Sequence, residues 1–378
     1  MKKKNIFLIT SSRADFSILK KLGIKLASKK NLNLNVLATG SHVSKEYGYT
    51  INDVKKNFKR IIKLKVSTNN KNKKDILSNS SNLINKFTKK IDRKKIDLAI
   101  ILGDRYEIFI IAYIFKILKI KILHISGGDT TVGSYDDNFR SCISQLSNYH
   151  IVTNFIAYKK LVKSGINKDY IFNFGLLSIE NPTKMSIYSK EFLSKLFNFE
   201  FKKKNYLITI HSETANLKDR AINYLNNIEK IISIKKDISF IFTSSNFDYG
   251  GNIINNKIKK IVKKYPNTYY IKSFGSDYYF EVLKYMSCVI GNSSSGILEA
   301  PSFGIPTINL GNRQDGRISS QSVINVDGSL KSLKDALKKI ETNIFIKKMK
   351  KSKNPYFKKN SLKKHVNLVE KILSSKLV

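Results

Sequence analysis

The chain has 378 residues, 42% of them hydrophobic, and its 69 basic and 28 acidic residues give a formal net charge of +41. The length predicts two domains, and the apolar content excludes a wholly disordered basic protein. No apolar run reaches the roughly 18 residues that span a bilayer, and two cysteines, Cys142 and Cys288, are too few for a disulfide framework or a zinc cluster. The N-terminus does not resemble a signal peptide, so we expect a cytoplasmic protein with no membrane partner.

The charge predicts a solvated lysine surface, because only eight of the basic residues are arginine. Nucleic-acid readers depend on arginine for bidentate contacts and on grouped aromatic side chains for stacking. No specific nucleic-acid partner is therefore expected. In such a lysine-rich chain, arginines in polar turns indicate sites where the planar guanidinium matters, since it suits phosphate and carboxylate geometry. These arginines are Arg13, Arg105, Arg140, Arg313 and Arg317.

Apolar runs of strand length alternate with helix-length segments, which is typical of parallel α/β sheets. The first series of predicted strands is Asn5–Thr10, Leu34–Ala38, Asp97–Leu102, Lys121–Ile125 and His150–Thr153. The second series is Tyr206–Ile210, Ser239–Thr243, Thr268–Lys272, Cys288–Gly291, Pro306–Leu310 and Val323–Val326. Predicted helices between and after them include Phe16–Ser28, Tyr106–Leu118, Asp219–Ile232 and Asn360–Leu377.

The stretch 175–190 separates the two series and predicts an interdomain connection. We therefore expect an N-terminal Rossmann-like domain over 1–178, a C-terminal nucleotide-binding domain over 179–355, and a C-terminal helix over 356–378. Ligands of open α/β sheets bind beyond the carboxyl ends of the strands, so the polar turns there are the candidate sites.

Two such turns lie early in the chain. After the first strand, Arg13 and Ser17 could reach an anion at a helix N-terminus, although an ordinary capped helix explains the same residues. After the third strand, Asp104 and Arg105 predict a tuned catalytic carboxylate, with a simple N-cap as the alternative.

The next turn carries Gly127, Gly128 and Asp129, followed by Asp136 and Asp137. Paired glycines permit close backbone approach to a ligand, and three carboxylates so near each other predict acid/base chemistry. Arg140 lies one helical turn beyond Asp136. Acidic residues at a helix N-terminus are the alternative for positions 136 and 137.

The second half holds the strongest signal, the serine-rich turn 291–296 between a strand and a helix. The hydroxyls of Ser293 and Ser294 and the backbone amides of this turn predict a diphosphate site. Glu299 could accept hydrogen bonds from both hydroxyls of a ribose. Arg313 follows the next strand. His211 and Asn246 are strand-terminal and weak signals by themselves. A serine-rich cap with nothing bound is the alternative.

Six motifs in this order resemble the hydrolysing UDP-N-acetylglucosamine 2-epimerases of bacterial sialic-acid synthesis. The motifs are 12–15, 38–50, 103–107, 127–129, 291–296 and 311–317. The resemblance implies a GT-B-like fold of two Rossmann-type parallel-sheet domains with a cleft between them. It also implies that UDP-N-acetylglucosamine and water give N-acetylmannosamine and UDP, by anti elimination to a glycal and hydration. No metal or cofactor is implied, and a homo-oligomer, dimer or tetramer, is expected.

The resemblance also implies residue roles. Asp104, Asp129 and Asp136 or Asp137 would supply base and acid, and Arg105 would stabilise the departing UDP. The substrate and UDP would be bound by Arg13, Ser17, His42, His211, Asn246, Ser293, Ser294, Glu299 and Arg313.

The sugar side departs from the family pattern. Asp129 stands where the family usually has glutamate, and Ser126 and Ser141 stand where it usually has histidine. Ser212 stands for the usual proline. These departures fit a related substrate, such as a UDP- or GDP-linked 2,4-diacetamido-6-deoxy sugar. A GT-B glycosyltransferase is the other alternative.

Overall fold

The computed structural model describes residues 3–43, 49–65, 73–92, 96–130, 136–179, 186–213, 220–245 and 250–374. These residues form two compact units. Unit 1 contains the described residues of 1–130, 135–180 and 358–378, and unit 2 contains those of 181–357. Each unit is built on a parallel sheet flanked by helices, which confirms the predicted pair of Rossmann-type domains.

The sheet of unit 1 has seven parallel strands in the order β3-β2-β1-β4-β5-β6-β7. The strands are β1 (Lys4–Thr10), β2 (Leu32–Ala38), β3 (Ile61–Lys63), β4 (Leu98–Leu102), β5 (Ile122–Ile125), β6 (Tyr149–Val152) and β7 (Ile171–Asn173). The helices are α1 (Arg13–Ala27), α2 (Ile51–Asn57), α3 (Lys73–Lys90), α4 (Tyr106–Ile117), α5 (Asp136–Leu146) and α6 (Phe155–Lys163).

Alternate side chains of β1 pack into two different hydrophobic cores, because successive side chains of a strand point to opposite faces of the sheet. Ile6 and Leu8 belong to one core, and Phe7 and Ile9 belong to the other. Helix α1 begins where Ser12 accepts a hydrogen bond from the amide of Asp15. The first core also receives the C-terminal helix of the chain, which is therefore part of unit 1.

Unit 2 has a six-stranded parallel sheet in the order β10-β9-β8-β11-β12-β13. Its strands are β8 (Lys204–Thr209), β9 (Ile238–Thr243), β10 (Thr268–Ile271), β11 (Cys288–Gly291), β12 (Thr307–Leu310) and β13 (Val323–Val326). Its helices are α7 (Lys190–Phe197), α8 (Ala221–Ile234), α9 (Gly251–Lys264), α10 (Gly275–Leu283), α11 (Ser295–Leu298), α12 (Leu330–Ile340) and α13 (Asn343–Lys351), and α14 (Ser361–Leu373) is the final helix of unit 1.

The structure differs from the predictions made from the sequence at the edges of the unit 1 sheet and at one helix. The three-residue strands β3 and β7 lie at the two edges of the unit 1 sheet and were not predicted. Helix α11 has only four residues and is followed by a 3-10 helix that contains Pro301. Proline cannot continue an α-helix, so Glu299 lies at the end of α11 rather than within a longer helix.

The strand order reverses between β1 and β4 in unit 1 and between β8 and β11 in unit 2. Ligands of doubly wound sheets bind beside such a switch point, at the carboxyl ends of the strands. The turns after these four strands are therefore the candidate ligand-binding parts of each unit. Within the described residues, no helix is both long enough and apolar enough to cross a bilayer.

Candidate functional site

Arg140 joins three predicted carboxylate segments of unit 1. It lies in α5, is 4% exposed, and its Nη2 donates to the carboxylate of Asp104. Its Nη1 donates to Asp137 Oδ1 at 2.8 Å and to the backbone carbonyl oxygen of Asp129 at 2.5 Å. Burial lowers the pKa of Arg140, but the three nearby carboxylates raise it above its ordinary value, so the guanidinium stays charged. We call these four residues the carboxylate cluster.

Two carboxylates of the cluster are reachable from solvent. The side chains of Asp104 and Asp137 are 25% and 26% exposed. Lys160 Nζ lies 3.2 Å from Asp137 Oδ2, so a second cation holds this carboxylate. Asp136 is the first residue of α5, and its side chain lies outside the described part of the chain. Fixed, partly exposed carboxylates can take a proton from a ligand or return one.

The carboxylate of Asp129 is held by the turn between β6 and α6. Its Oδ1 accepts hydrogen bonds from Thr153 Oγ1 at 2.5 Å and from Asn154 Nδ2 at 3.2 Å. The preceding Gly128 has φ +75°, and a Cβ there would lie 2.5 Å from the carbonyl oxygen of Ala157. The loop therefore lies directly on α6, at a spacing that a larger residue would disrupt.

The turn after β1 places Arg13 on the surface as the first residue of α1. The hydroxyl of Ser17 donates to the carbonyl oxygen of Ala14 at 2.7 Å, within the same helix. Asp15 Oδ2 accepts from the hydroxyl of Ser11 at 2.7 Å. Burial raises the pKa of Asp15, while Arg105 and the neighbouring serines act in the opposite direction.

Arg105 is oriented by a buried carboxylate two residues further on. Its Nε and Nη2 donate to Glu107 Oε2 at 3.3 Å and Oε1 at 3.4 Å. Glu107 is buried, while the side chain of Arg105 is 40% exposed. The guanidinium is thus anchored by Glu107, and its side chain is partly exposed to solvent.

His42 is completely buried behind the turn after β1. Its Nε2 lies 2.9 Å from Thr10 Oγ1, and its Nδ1 lies 2.8 Å from Thr50 Oγ1. Burial lowers the pKa of His42 to about 4, so the ring is neutral at physiological pH. A substrate contact of His42, as predicted, would require this buried ring to move.

Asn292 brings the predicted residues of unit 2 together. The side chain is completely buried, and it accepts from the backbone amide of His211 at 2.7 Å and donates to the carbonyl oxygen of the same residue at 2.8 Å. Arg313 Nη1 and Gln314 Nε2 donate to the backbone carbonyl oxygen of Asn292 at 3.1 and 2.8 Å. Ser293 follows directly. The ends of β8, β11 and β12 therefore share one hydrogen-bonded centre.

Three other predicted site residues of unit 2 belong to the segment that follows Asn292. Ser293 and Ser294 are half-buried in the turn before α11, and Glu299 follows this helix. Burial, and secondarily Arg313, lowers the pKa of His211 to about 3, so its ring is neutral. Asn246 lies outside the described residues.

Several residues of these sites were missed by the sequence predictions. Arg140 was predicted beside the acid/base cluster but without its partners, and Glu107, Asn292 and Gln314 were noted only as members of motifs. Buried polar side chains beside turns are their common feature. Within the described ranges, no group of three or more His, Cys, Asp and Glu side chains is arranged to hold a metal ion.

Comparison with known proteins adds to this geometry. The chain matches the family model for UDP-N-acetylglucosamine 2-epimerase over residues 24–370. A Campylobacter jejuni protein named GDP/UDP-N,N'-diacetylbacillosamine 2-epimerase (hydrolyzing) is 34% identical over 348 residues, which cover 91% of this chain and 89% of that protein. The polysialic acid biosynthesis protein P7 of Escherichia coli is 32% identical over 378 residues, covering 99% and 95%.

The fold is shared with solved structures as well. The crystal structure of UDP-GlcNAc 2-epimerase from Neisseria meningitidis bound to UDP-GlcNAc aligns with a TM-score of 0.79 and 18% identity, over 97% of this chain and 100% of that chain. Because the two sequences are only 18% identical, this similarity shows a shared fold. The sequence match, however, spans most of the chain, and two relatives exceed 30% identity over nearly their whole length. The chain therefore belongs to the UDP-N-acetylglucosamine 2-epimerase family.

Proposed function

We propose that this protein is a hydrolysing 2-epimerase that converts UDP-N-acetylglucosamine and water into N-acetylmannosamine and UDP. The observation that carries this proposal is the carboxylate cluster, in which a buried arginine holds two partly exposed aspartates beside the switch point of unit 1. Proton removal and return at one carbon require such groups at fixed positions. Family membership supports the choice of a nucleotide sugar as substrate.

The proposed reaction has two balanced steps. A carboxylate takes the C2 proton, the C–H electron pair forms the C1–C2 double bond, and UDP leaves with the electron pair of the C1–O bond. Water oxygen then adds to C1, its surplus proton is lost, and a proton is delivered to the opposite face of C2. We assign base and acid to the group formed by Asp104, Asp129 and Asp136 or Asp137, and charge stabilisation on the departing UDP to Arg105.

The nucleotide part would be bound mainly by unit 2. The centre at Asn292 supports this assignment, because it fixes the positions of the serine turn and of Arg313, which suits a diphosphate. The residues assigned to the substrate or UDP are Arg13, Ser17, His42, His211, Asn246, Ser293, Ser294, Glu299 and Arg313.

A second sugar is favoured by one observation. The Campylobacter jejuni relative is named for nucleotide-linked N,N'-diacetylbacillosamine, a 2,4-diacetamido sugar. The sugar-side departures at Ser126, Asp129 and Ser141 fit such a change of substrate. We further propose that the protein is cytoplasmic and that it forms a homo-oligomer, either a dimer or a tetramer. Light scattering of the purified protein would test the oligomeric state.

The substrate is tested with a panel of UDP- and GDP-linked N-acetylated sugars in D₂O, with NMR identification of the freed sugar. We expect UDP release without an acceptor, and deuterium at C2 of an inverted product. A glycosyltransferase would require an acceptor, and simple hydrolysis would leave C2 undeuterated. No nucleotide release from any of these sugars would overturn the proposal.

The role of the cluster is tested by Asp104→Asn, with Asp169→Asn as the matched control. Asp169 is an exposed aspartate of the same unit. We expect Asp104→Asn to lower kcat by about 100-fold or more, as loss of an acid/base group does, and to leave UDP affinity unchanged. Asp169→Asn should keep the wild-type rate. Equal activity of both variants would remove Asp104 from the mechanism.

A further inference from the structure

Three segments of the carboxylate cluster meet at His124, a completely buried residue of β5. Its Nε2 lies 2.9 Å from the carbonyl oxygen of Gly103, the residue before Asp104. Its Nδ1 lies 3.1 Å from Ser144 Oγ, which is in α5, one turn beyond Arg140. One side chain thus connects the Asp104 turn with the helix that carries its cationic partner.

The loop that bears Asp129 lies against the same pair of side chains. A Cβ at Gly127 would lie 2.9 Å from Ser144 Oγ and 3.0 Å from His124 Nδ1. The amide of Gly103 also donates to the carbonyl oxygen of Ile125 at 3.2 Å. Neighbouring residues of β5 therefore bind both the N–H and the C=O of Gly103.

The hydrogen-bond partners determine the tautomer of His124. A carbonyl oxygen only accepts, so Nε2 carries the proton, and the bare Nδ1 accepts from the Ser144 hydroxyl. Burial lowers the pKa of His124 to about 4, opposed by the bond to Gly103 and assisted by Arg140, and the ring is neutral. Both ring nitrogens are therefore engaged by protein groups, Gly103 and Ser144.

We propose that His124 is a positioning residue, which holds the Asp104 turn in place against α5 through its bonds to Gly103 and Ser144. The ion pair between Asp104 and Arg140 joins residues 36 positions apart, and His124 bonds to the backbone next to Asp104 and to a side chain of the helix that carries Arg140. This inference rests on the proposed function, because its consequence is the rate of nucleotide release.

The test compares His124→Gln with His124→Asn. The glutamine amide reaches the position of Nε2 and can donate to Gly103, whereas the asparagine amide ends near the position of Nδ1. We expect His124→Gln to keep kcat within about fivefold of wild type and His124→Asn to lower it about 100-fold, since roughly 1 Å of misplacement costs about that factor. KM should change less than about twofold in both, because the nucleotide is proposed to be bound mainly by unit 2 and His124 belongs to unit 1.

His365→Asn is the matched control. His365 is also completely buried in unit 1, where its Nδ1 donates to the carbonyl oxygen of Ser361 at 2.8 Å, a bond that asparagine can keep. This variant should keep the wild-type kcat. Rates are divided by the concentration of UDP-binding sites, so that partial unfolding is not counted as lost catalysis. If His124→Asn does not fold, Ser144→Ala tests the other bond, with kcat expected to fall at least about threefold.

The outcomes separate this inference from the proposed function. Wild-type kcat in His124→Asn, equal loss in the Gln and Asn variants, or wild-type kcat in Ser144→Ala overturns the inference while the proposed function stands. Absence of nucleotide release by the wild type overturns the proposed function, and the inference with it.

Discussion

Replacing Arg140 by lysine tests whether the carboxylate cluster depends on the shape of the guanidinium or only on its charge. Two different nitrogens of Arg140 donate to Asp104, to Asp137 and to the backbone of Asp129. Lysine keeps the positive charge but has a single ammonium nitrogen. It can occupy only one of these positions, so at least one of the two carboxylates loses its hydrogen bond to residue 140.

The size of the effect follows from burial and bond type. Hydrogen bonds to charged groups contribute about 1.5–3 kcal/mol each, and Arg140 is 4% exposed. The carboxylates at Asp104 and Asp137 are about one-quarter exposed and can be partly rehydrated. We therefore expect Arg140→Lys to lower the free energy of unfolding of unit 1 by about 2–4 kcal/mol. We expect kcat to fall about 100-fold, because Asp104 shifts.

The assay is urea unfolding monitored by hydrogen exchange of peptides from α5, because a chain with two compact units need not unfold in a single step. Arg60→Lys is the control, because Arg60 is exposed in the same unit, and a change within about 0.5 kcal/mol is expected there. If Arg140→Lys matches this control in stability and keeps wild-type kcat, the guanidinium does not organise the cluster and the reasoning is refuted.

Two further predictions concern the space available at two glycines and the protonation of a buried histidine. Gly311 and Gly304 have φ +66° and +67°, but an added Cβ overlaps the Tyr224 hydroxyl only at Gly311 and meets nothing within 4 Å at Gly304. Thermal or urea unfolding should show a loss of about 1 kcal/mol for Gly304→Ala and about 2–4 kcal/mol for Gly311→Ala; equal losses would contradict the packing. Burial lowers the pKa of His365 to about 4 from its ordinary 6.5, so the unfolded chain binds more protons between these values and stability falls as pH drops through them. His365→Leu should flatten this slope by about 1.4 kcal/mol per pH unit in unfolding measured at several pH values, and an unchanged slope would contradict the neutral ring.

The local pattern of apolar residues in the sequence was sufficient to predict much of the fold. Eleven of the thirteen strands in the described residues were predicted, because strands covered on both faces need continuous apolar runs such as Leu98–Leu102. The edge strands β3 and β7 have three residues each, too few to show a period, and their pairing depends on β2 and β6. The turns bearing Asp104, Asp129 and Ser293 were also predictable, because polar residues directly after buried strands occupy one edge of a parallel sheet.

Which side chains meet across those turns depended on tertiary structure. Asp104 and Arg140 are 36 positions apart, and His211 and Asn292 are 81 apart. Such contacts result from strand order and helix packing, and no local period records them. His42 illustrates the same limit, because its motif placed it near the site while packing behind the turn buried its ring. Residue type and spacing therefore determined where the chemistry could lie, and the packing of distant segments decided which groups share it.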